Sequence, residues 1–191
     1  MKGHFQKFKL KDFVFLAVLA AAMTLAGGVT MPLVMHTTLF GLRNMVAAPL
    51  YALFCAIGLM KVRKTGALSV LGLFSAVPLA FMSLVMFFNN VVAALLAEGL
   101  MLLLFRRYEK KGAVLFAAGI YMPLSLPVTL VFSMWLNGSS FNDLVAAPIP
   151  AIFTSLGTIV LGFLGAWAGC KIAAELQKAG KLKPYGEDAD A

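Results

Sequence analysis

Apolar residues in this chain gather in long runs, at about 13 to 31, 45 to 60, 67 to 88, 91 to 105, 113 to 136 and 148 to 170, bounded by charge, Gly, Pro or Asn. None alternates with the two-residue period of a half-buried strand, and an open sheet edge could not face lipid. A helix needs about 20 apolar residues to cross the hydrocarbon core. The six runs therefore predict an all-α membrane protein, a six-helix bundle forming one integral domain over residues 1–191, with a short polar tail from 171. The opening MKGHFQKFKLKDFVFLAVLAAAMTLAGG has the basic-then-apolar order of a secretion signal. Its apolar run is long and lacks a sharp small-x-small cleavage site, so a retained first helix is expected.

Charge gives the runs a direction. Lys2, Lys7, Lys9 and Lys11 precede the first run, and Lys61, Arg63 and Lys64 follow the second. Arg106, Arg107, Lys110 and Lys111 follow the fourth; Lys171, Lys178, Lys181 and Lys183 follow the sixth. Fifteen of the sixteen Lys and Arg thus fall on one side of a six-pass chain, leaving Arg43 on the other. The positive-inside bias then predicts that both termini are cytoplasmic, and an odd number of passes would destroy the segregation.

Composition sharpens this picture by exclusion. Of 191 residues, 61% are hydrophobic and 13% charged, against about 25% charged in soluble domains. The net charge of +8 sits in clusters between apolar runs rather than along one polar face, so it reads as topology and no nucleic-acid partner is expected. The connections KVRKTG and RRYEKKG are too short for a soluble catalytic domain. Walker A, HExxH, Gly-x-Ser-x-Gly and DDxxD patterns are all missing from the sequence. A non-enzyme without a cofactor or metal is expected, with Cys55 and Cys170 as buried thiols.

Few residues inside the runs could carry chemistry. Glu98, in VVAALLAEGLMLLL, is the ionisable group nearest the middle of a run. Facing lipid would cost it at least ~2.5 kcal/mol, so it should turn inward, either to a solute or proton or to a neighbouring helix. Arg43, beside Asn44, suits a carboxylate or phosphate on an incoming solute, or lipid headgroups by snorkelling. His36 is a contact or a solvated loop residue. Pro123 and Pro127 should kink or open the fifth helix near Tyr121, Ser125 and Thr129. Phe40, Phe87, Phe88, Asn89, Asn90, Trp135, Asn137 and Phe141 fit either a mouth for an organic solute or an interfacial belt. Ala17 and Ala21, Ala22 and Ala26, and Gly165 and Gly169 in GAWAG have the four-residue spacing of close helix contacts, within the bundle or with a partner.

With an alanine-spaced first helix, six runs in about 190 residues and a charged ending to the fourth, the chain resembles the substrate-binding S components of energy-coupling factor (ECF) transporters. The segments FVFLAVLAAAMTLAGGV, GLRNMVAAPLYALFCAIG and AALLAEGLMLLL are most similar to the MptD/Trep-Strep group. The resemblance implies a prokaryotic membrane subunit that captures a vitamin or related micronutrient at the outer face. It also implies a membrane T subunit and two cytoplasmic ATPase subunits as partners. An A-x-x-x-A face would contact the T subunit, matched by Ala17 and Ala21 or, in a second frame, by Ala22 and Ala26. The implied solute site lies near the outer face, between the fourth to sixth membrane helices and under the loop from about Pro32 to Phe40. It would need Asn89, Asn90, Glu98, Tyr121 and Trp135 to converge on a cavity, with Arg43 at the rim. The alternative is a self-sufficient secondary transporter with Glu98 as proton carrier.

Overall fold

The computed structural model describes residues 8–34, 36, 39–106, 108, 111–136, 139–180 and 182. Lys2, Lys7, Arg107, Lys110, Asn137, Lys181 and Lys183 lie outside the described residues, as does the side chain of Phe141. Among the described residues seven helices follow one another: α1 (Leu10–Val34), α2 (Leu42–Lys61), α3 (Ala67–Ala80), α4 (Leu84–Phe105), α5 (Lys111–Leu136), α6 (Ser139–Ala146) and α7 (Pro148–Lys178). Five of them, all but α3 and α6, are long and apolar enough to cross a membrane. Neighbours meet in the order α1, α2, α5, α4, α3 and back to α1, while α7 lies against α2 and α5.

Several boundaries move from where hydropathy suggests. The third run stops at Ala80 instead of about 88, and α4 starts at Leu84. Ser83, in extended backbone, begins α4 by accepting the Phe87 N–H at 3.1 Å. That break contains no charge and no glycine, so composition cannot reveal it. Asn89 and Asn90, which looked like a boundary, lie within α4. α1 runs on through Pro32 to Val34, α7 continues two turns past residue 170, and α6 is an additional short helix between α5 and α7.

Lipid offers no hydrophobic drive for helices to associate, so close backbone approach does that work. A Cβ on Gly165 would collide with the Pro49 carbonyl oxygen, and one on Gly169 would lie 2.5 Å from the Leu53 oxygen. The GAWAG pair is therefore spent inside the bundle, seating α7 on α2. Gly162 does the same toward α5: a Cβ there would stand 2.8 Å from the Gly119 oxygen. That oxygen is the carbonyl that Pro123 leaves without its helical N–H. α5 nevertheless stays helical through both prolines.

Side-chain ties gather four segments at one end. Lys64 pairs with Asp12 at 2.6 Å, Gln177 donates to the Met60 carbonyl at 3.3 Å, and Tyr108 donates to Glu98 at 3.4 Å. The start of α1, the α2–α3 connection, the α4–α5 turn and the end of α7 thus share what we call the basic end. Lys9, Lys11, Lys61, Arg63, Lys64, Arg106, Lys111 and Lys178 belong to these segments, whereas Arg43 begins α2 at the opposite end.

Candidate functional site

One group of polar side chains inside the ring of helices sits away from the basic end. Asn90 on α4 donates through Nδ2 to Ser75 of α3 at 3.2 Å, and its Oδ1 accepts from the Tyr121 hydroxyl of α5. Ser75 passes its own proton to the Gly72 carbonyl at 2.9 Å. All three residues are buried. Such a chain survives in an apolar interior because each member is satisfied by the next. It clasps α3, α4 and α5 together.

A second tie lies further from the basic end. Asn44 of α2 donates to the Ser125 hydroxyl at 2.7 Å, and Ser125 donates to the Met122 carbonyl at 2.6 Å, between the two prolines of α5. The hydroxyl of Tyr51, a buried residue of α2, rests where a Cβ on Gly27 would come within 2.7 Å. Any larger residue at 27 would displace that ring. Arg43, exposed in the first turn of α2, reaches Met86 of α4 at 3.8 Å. One turn further along α4 is Asn89, whose Oδ1 is buried and accepts no hydrogen bond among the described residues. Arg43, Asn44, Asn89, Asn90 and Tyr121 therefore form one region between α2, α4 and α5, with a cation at its edge and an open acceptor within it. The connection above α2 is held by Thr154 of α7, which donates to the Phe40 carbonyl at 2.6 Å.

Two expected members stand elsewhere. Trp135 is exposed near the end of α5, in the position of a belt residue. Glu98 is two turns from Asn90 toward the basic end and only 4% exposed. It accepts from the Gly66 N–H, from the Ser69 N–H at 2.9 Å, from the Ser69 hydroxyl and from Tyr108. The local sequence explains why. α3 begins at Gly66, held at φ 97° with no side chain to cap the helix, and no acid lies in its first turn. Glu98 supplies the missing cap from α4, where a carboxylate also complements the helix dipole. Burial pushes the Tyr108 hydroxyl well above the usual phenol range, and the nearby Glu98 carboxylate pushes it further. Tyr108 thereby remains a proton donor to that carboxylate.

Sequence reasoning did not single out Ser69, Ser75, Tyr51 or Tyr108. A serine or tyrosine, in an apolar run or, like Tyr108, in a polar connection, carries no sign of whether its partner is a solute or another helix. The clasp has a measurable consequence. Tyr121→Phe strands the buried Asn90 oxygen, and should lower stability by about 1–3 kcal/mol in detergent unfolding. Adding Asn90→Leu to that variant should cost less than the two single changes summed, because both ends of the bond are then gone. Strict additivity would show that the bond does not couple them.

No protein family matches the chain, and no curated protein or solved structure does so either.

Proposed function

We propose that this chain is the membrane-embedded solute-binding subunit of an ECF-type importer. It crosses a prokaryotic cell membrane six times, counting α3, with the basic end and both termini in the cytoplasm. It takes up a vitamin or related micronutrient from outside and depends on a membrane T subunit and two cytoplasmic ATPase subunits for transport. It performs no chemistry of its own.

The observation that carries this reading is the outward side of α1. Val14, Val18, Ala21, Leu25 and Val29 follow one another at spacings of three and four on an exposed stripe. α1 packs against α2 and α3 along its other side. The glycine stripe of α7 is consumed within the bundle, but the small side chain of Ala21 stays open, with Ala17 half-exposed beside it. Small residues amid branched ones let a second helix approach closely. Ala22 and Ala26 are half-exposed as well, so the frame centred on Ala17 and Ala21 fits a partner helix better by virtue of Ala21 alone. For the solute, Arg43 at the rim suits an acid group and the Asn89 oxygen suits an N–H or O–H donor. Asn90, Tyr121 and Ser125 support the wall behind them.

Engagement of Glu98 with α3 weighs against the proton-carrier alternative, since a carboxylate holding a helix start is not free to cycle. The deciding experiment is copurification with T and ATPase subunits, followed by uptake into vesicles. ATP-dependent uptake is expected. Uptake driven by a proton gradient without ATP would overturn the assignment. Ala17→Trp combined with Ala21→Trp should cut ATP-driven uptake more than ~10-fold while leaving solute binding within about 2-fold, as expected for a blocked helix contact. Parallel loss of both activities would remove α1 as the contact surface.

A further inference from the structure

α5 leaves the basic end and α7 returns to it, so the two helices pack side by side in opposite directions. Two close approaches fix their register. A Cβ on Gly119 would stand 2.7 Å from the Phe163 ring, and one on Gly162 would stand 2.8 Å from the Gly119 oxygen. Lys111 and Lys171 lie the same number of residues beyond that crossing, about 12 Å at 1.5 Å per residue, and so come level on neighbouring helices. Both are exposed, and neither forms an ion pair among the described residues.

The depth of this pair follows from Trp167. An exposed indole in a membrane protein sits at headgroup level, and Trp167 is 53% exposed. The Lys171 ammonium lies over its ring, 4.6 Å from the centre, rather than in an ion pair with Glu175 one turn further on. The ring therefore holds a cation at the depth of the lipid phosphates. From Trp167 toward the middle of the bilayer, α7 presents Leu164, Val160 and Leu156, all exposed and spaced by three and four residues along the same face. A phospholipid has its parts in this order: a phosphate, an interfacial ester region, then acyl chains. Two ammonium groups at one level call for an anion, whereas a second copy of the chain docking by the same face would set cations against cations.

We propose that the seam between α5 and α7 at the basic end binds an anionic phospholipid, with its phosphate between Lys111 and Lys171 and an acyl chain along Leu164, Val160 and Leu156. The lipid is a ligand of both helices. This requires membrane insertion only and stands whether or not the transport assignment does.

Tryptophan fluorescence tests it. Trp135 and Trp167 are the chain's two tryptophans, so Trp135→Phe leaves one reporter beside the proposed site. The full chain is placed in phosphatidylcholine vesicles containing either phosphatidylglycerol or phosphatidylcholine brominated near the headgroup end of its chains, at constant ionic strength. Bromine quenches an indole only in near contact, so quenching reads which lipid occupies the surface at Trp167. Brominated phosphatidylglycerol should compete for that surface at least ~5-fold more effectively than brominated phosphatidylcholine. Lys111→Gln combined with Lys171→Gln should bring the ratio to within ~2-fold of unity, while Lys171→Arg should retain the preference. Lys11→Gln combined with Lys178→Gln removes as many exposed cations from the same end and should leave the ratio unchanged. All four lysines lie outside the core, so folding should survive these changes. A ratio near unity in the parent would overturn the proposal. Equal loss with either lysine pair would overturn it as well, by assigning the preference to the charge of the whole end. Millimolar inorganic phosphate should leave the ratio unchanged, and its collapse on adding phosphate would overturn the lipid assignment in favour of a free-ion site.

Discussion

Gly165→Leu should cost the bundle more than ~3 kcal/mol, above the usual penalty for overpacking, and should leave much of the protein unfolded or aggregated after extraction in mild detergent. The reason is what the new side chain meets. At Gly165 the obstacle is the Pro49 backbone, and at Gly169 it is the Leu53 backbone together with Ala56. Backbone cannot rotate aside as the end of a flexible side chain can. α7 would have to back away from α2 along much of their contact, and in lipid that contact is held by packing with no hydrophobic reserve behind it. Total stabilities of about 5–15 kcal/mol leave little room for such a loss. Gly99→Leu provides the comparison, because nothing lies within 4 Å of a Cβ there and the position is exposed. It should unfold within about 0.5 kcal/mol of the parent, as surface changes usually do. If Gly165→Leu and Gly99→Leu have the same midpoint in denaturant titration, the close α2–α7 approach is not what holds the bundle.

That pair also illustrates what was legible beforehand. GAWAG announces a close helix contact through spacing alone, but spacing says nothing of the partner, and the choice between a neighbouring helix and another subunit required the fold. Long apolar runs and clustered cations carried through to the five long helices and the basic end, because hydropathy and charge act residue by residue. The break at residues 81–83 was hidden for the same reason. In water a turn is marked by polar groups that need solvent; a turn made of Phe81 and Met82 is as apolar as the helices it joins. Asn89 and Asn90 misled in the opposite sense, since an amide inside a helix looks like an end until Ser75 and Tyr121 are seen to satisfy Asn90.

Glu98 shows the limit most sharply, and its replacement is the other change expected to have a large effect. Glu98→Ala would strip the start of α3 of its acceptor and leave the Gly66 and Ser69 N–H groups facing a buried gap. Each stranded donor costs about 1–3 kcal/mol, so a total of about 3–5 kcal/mol is expected, in line with breaking other buried charged contacts. Glu98→Gln keeps the shape and one acceptor oxygen but turns an NH2 group toward a donor. Its loss should fall between the parent and Glu98→Ala, at about 1–3 kcal/mol. The damage should also be local. Amide hydrogen exchange in the first turn of α3, from Ala67 to Val70, should accelerate well before exchange in α7 does, because the cap secures that helix start and not the distant α2–α7 contact. A carboxylate whose purpose was to carry protons would behave differently. Its amide replacement would abolish gradient-driven movement of solute while leaving stability and the exchange of α3 at parental values. The two roles therefore separate in the absence of any substrate: unchanged exchange at the start of α3 in Glu98→Gln and Glu98→Ala would dismiss the capping role, and accelerated exchange there would leave Glu98 too committed to its neighbours to serve as a mobile proton site.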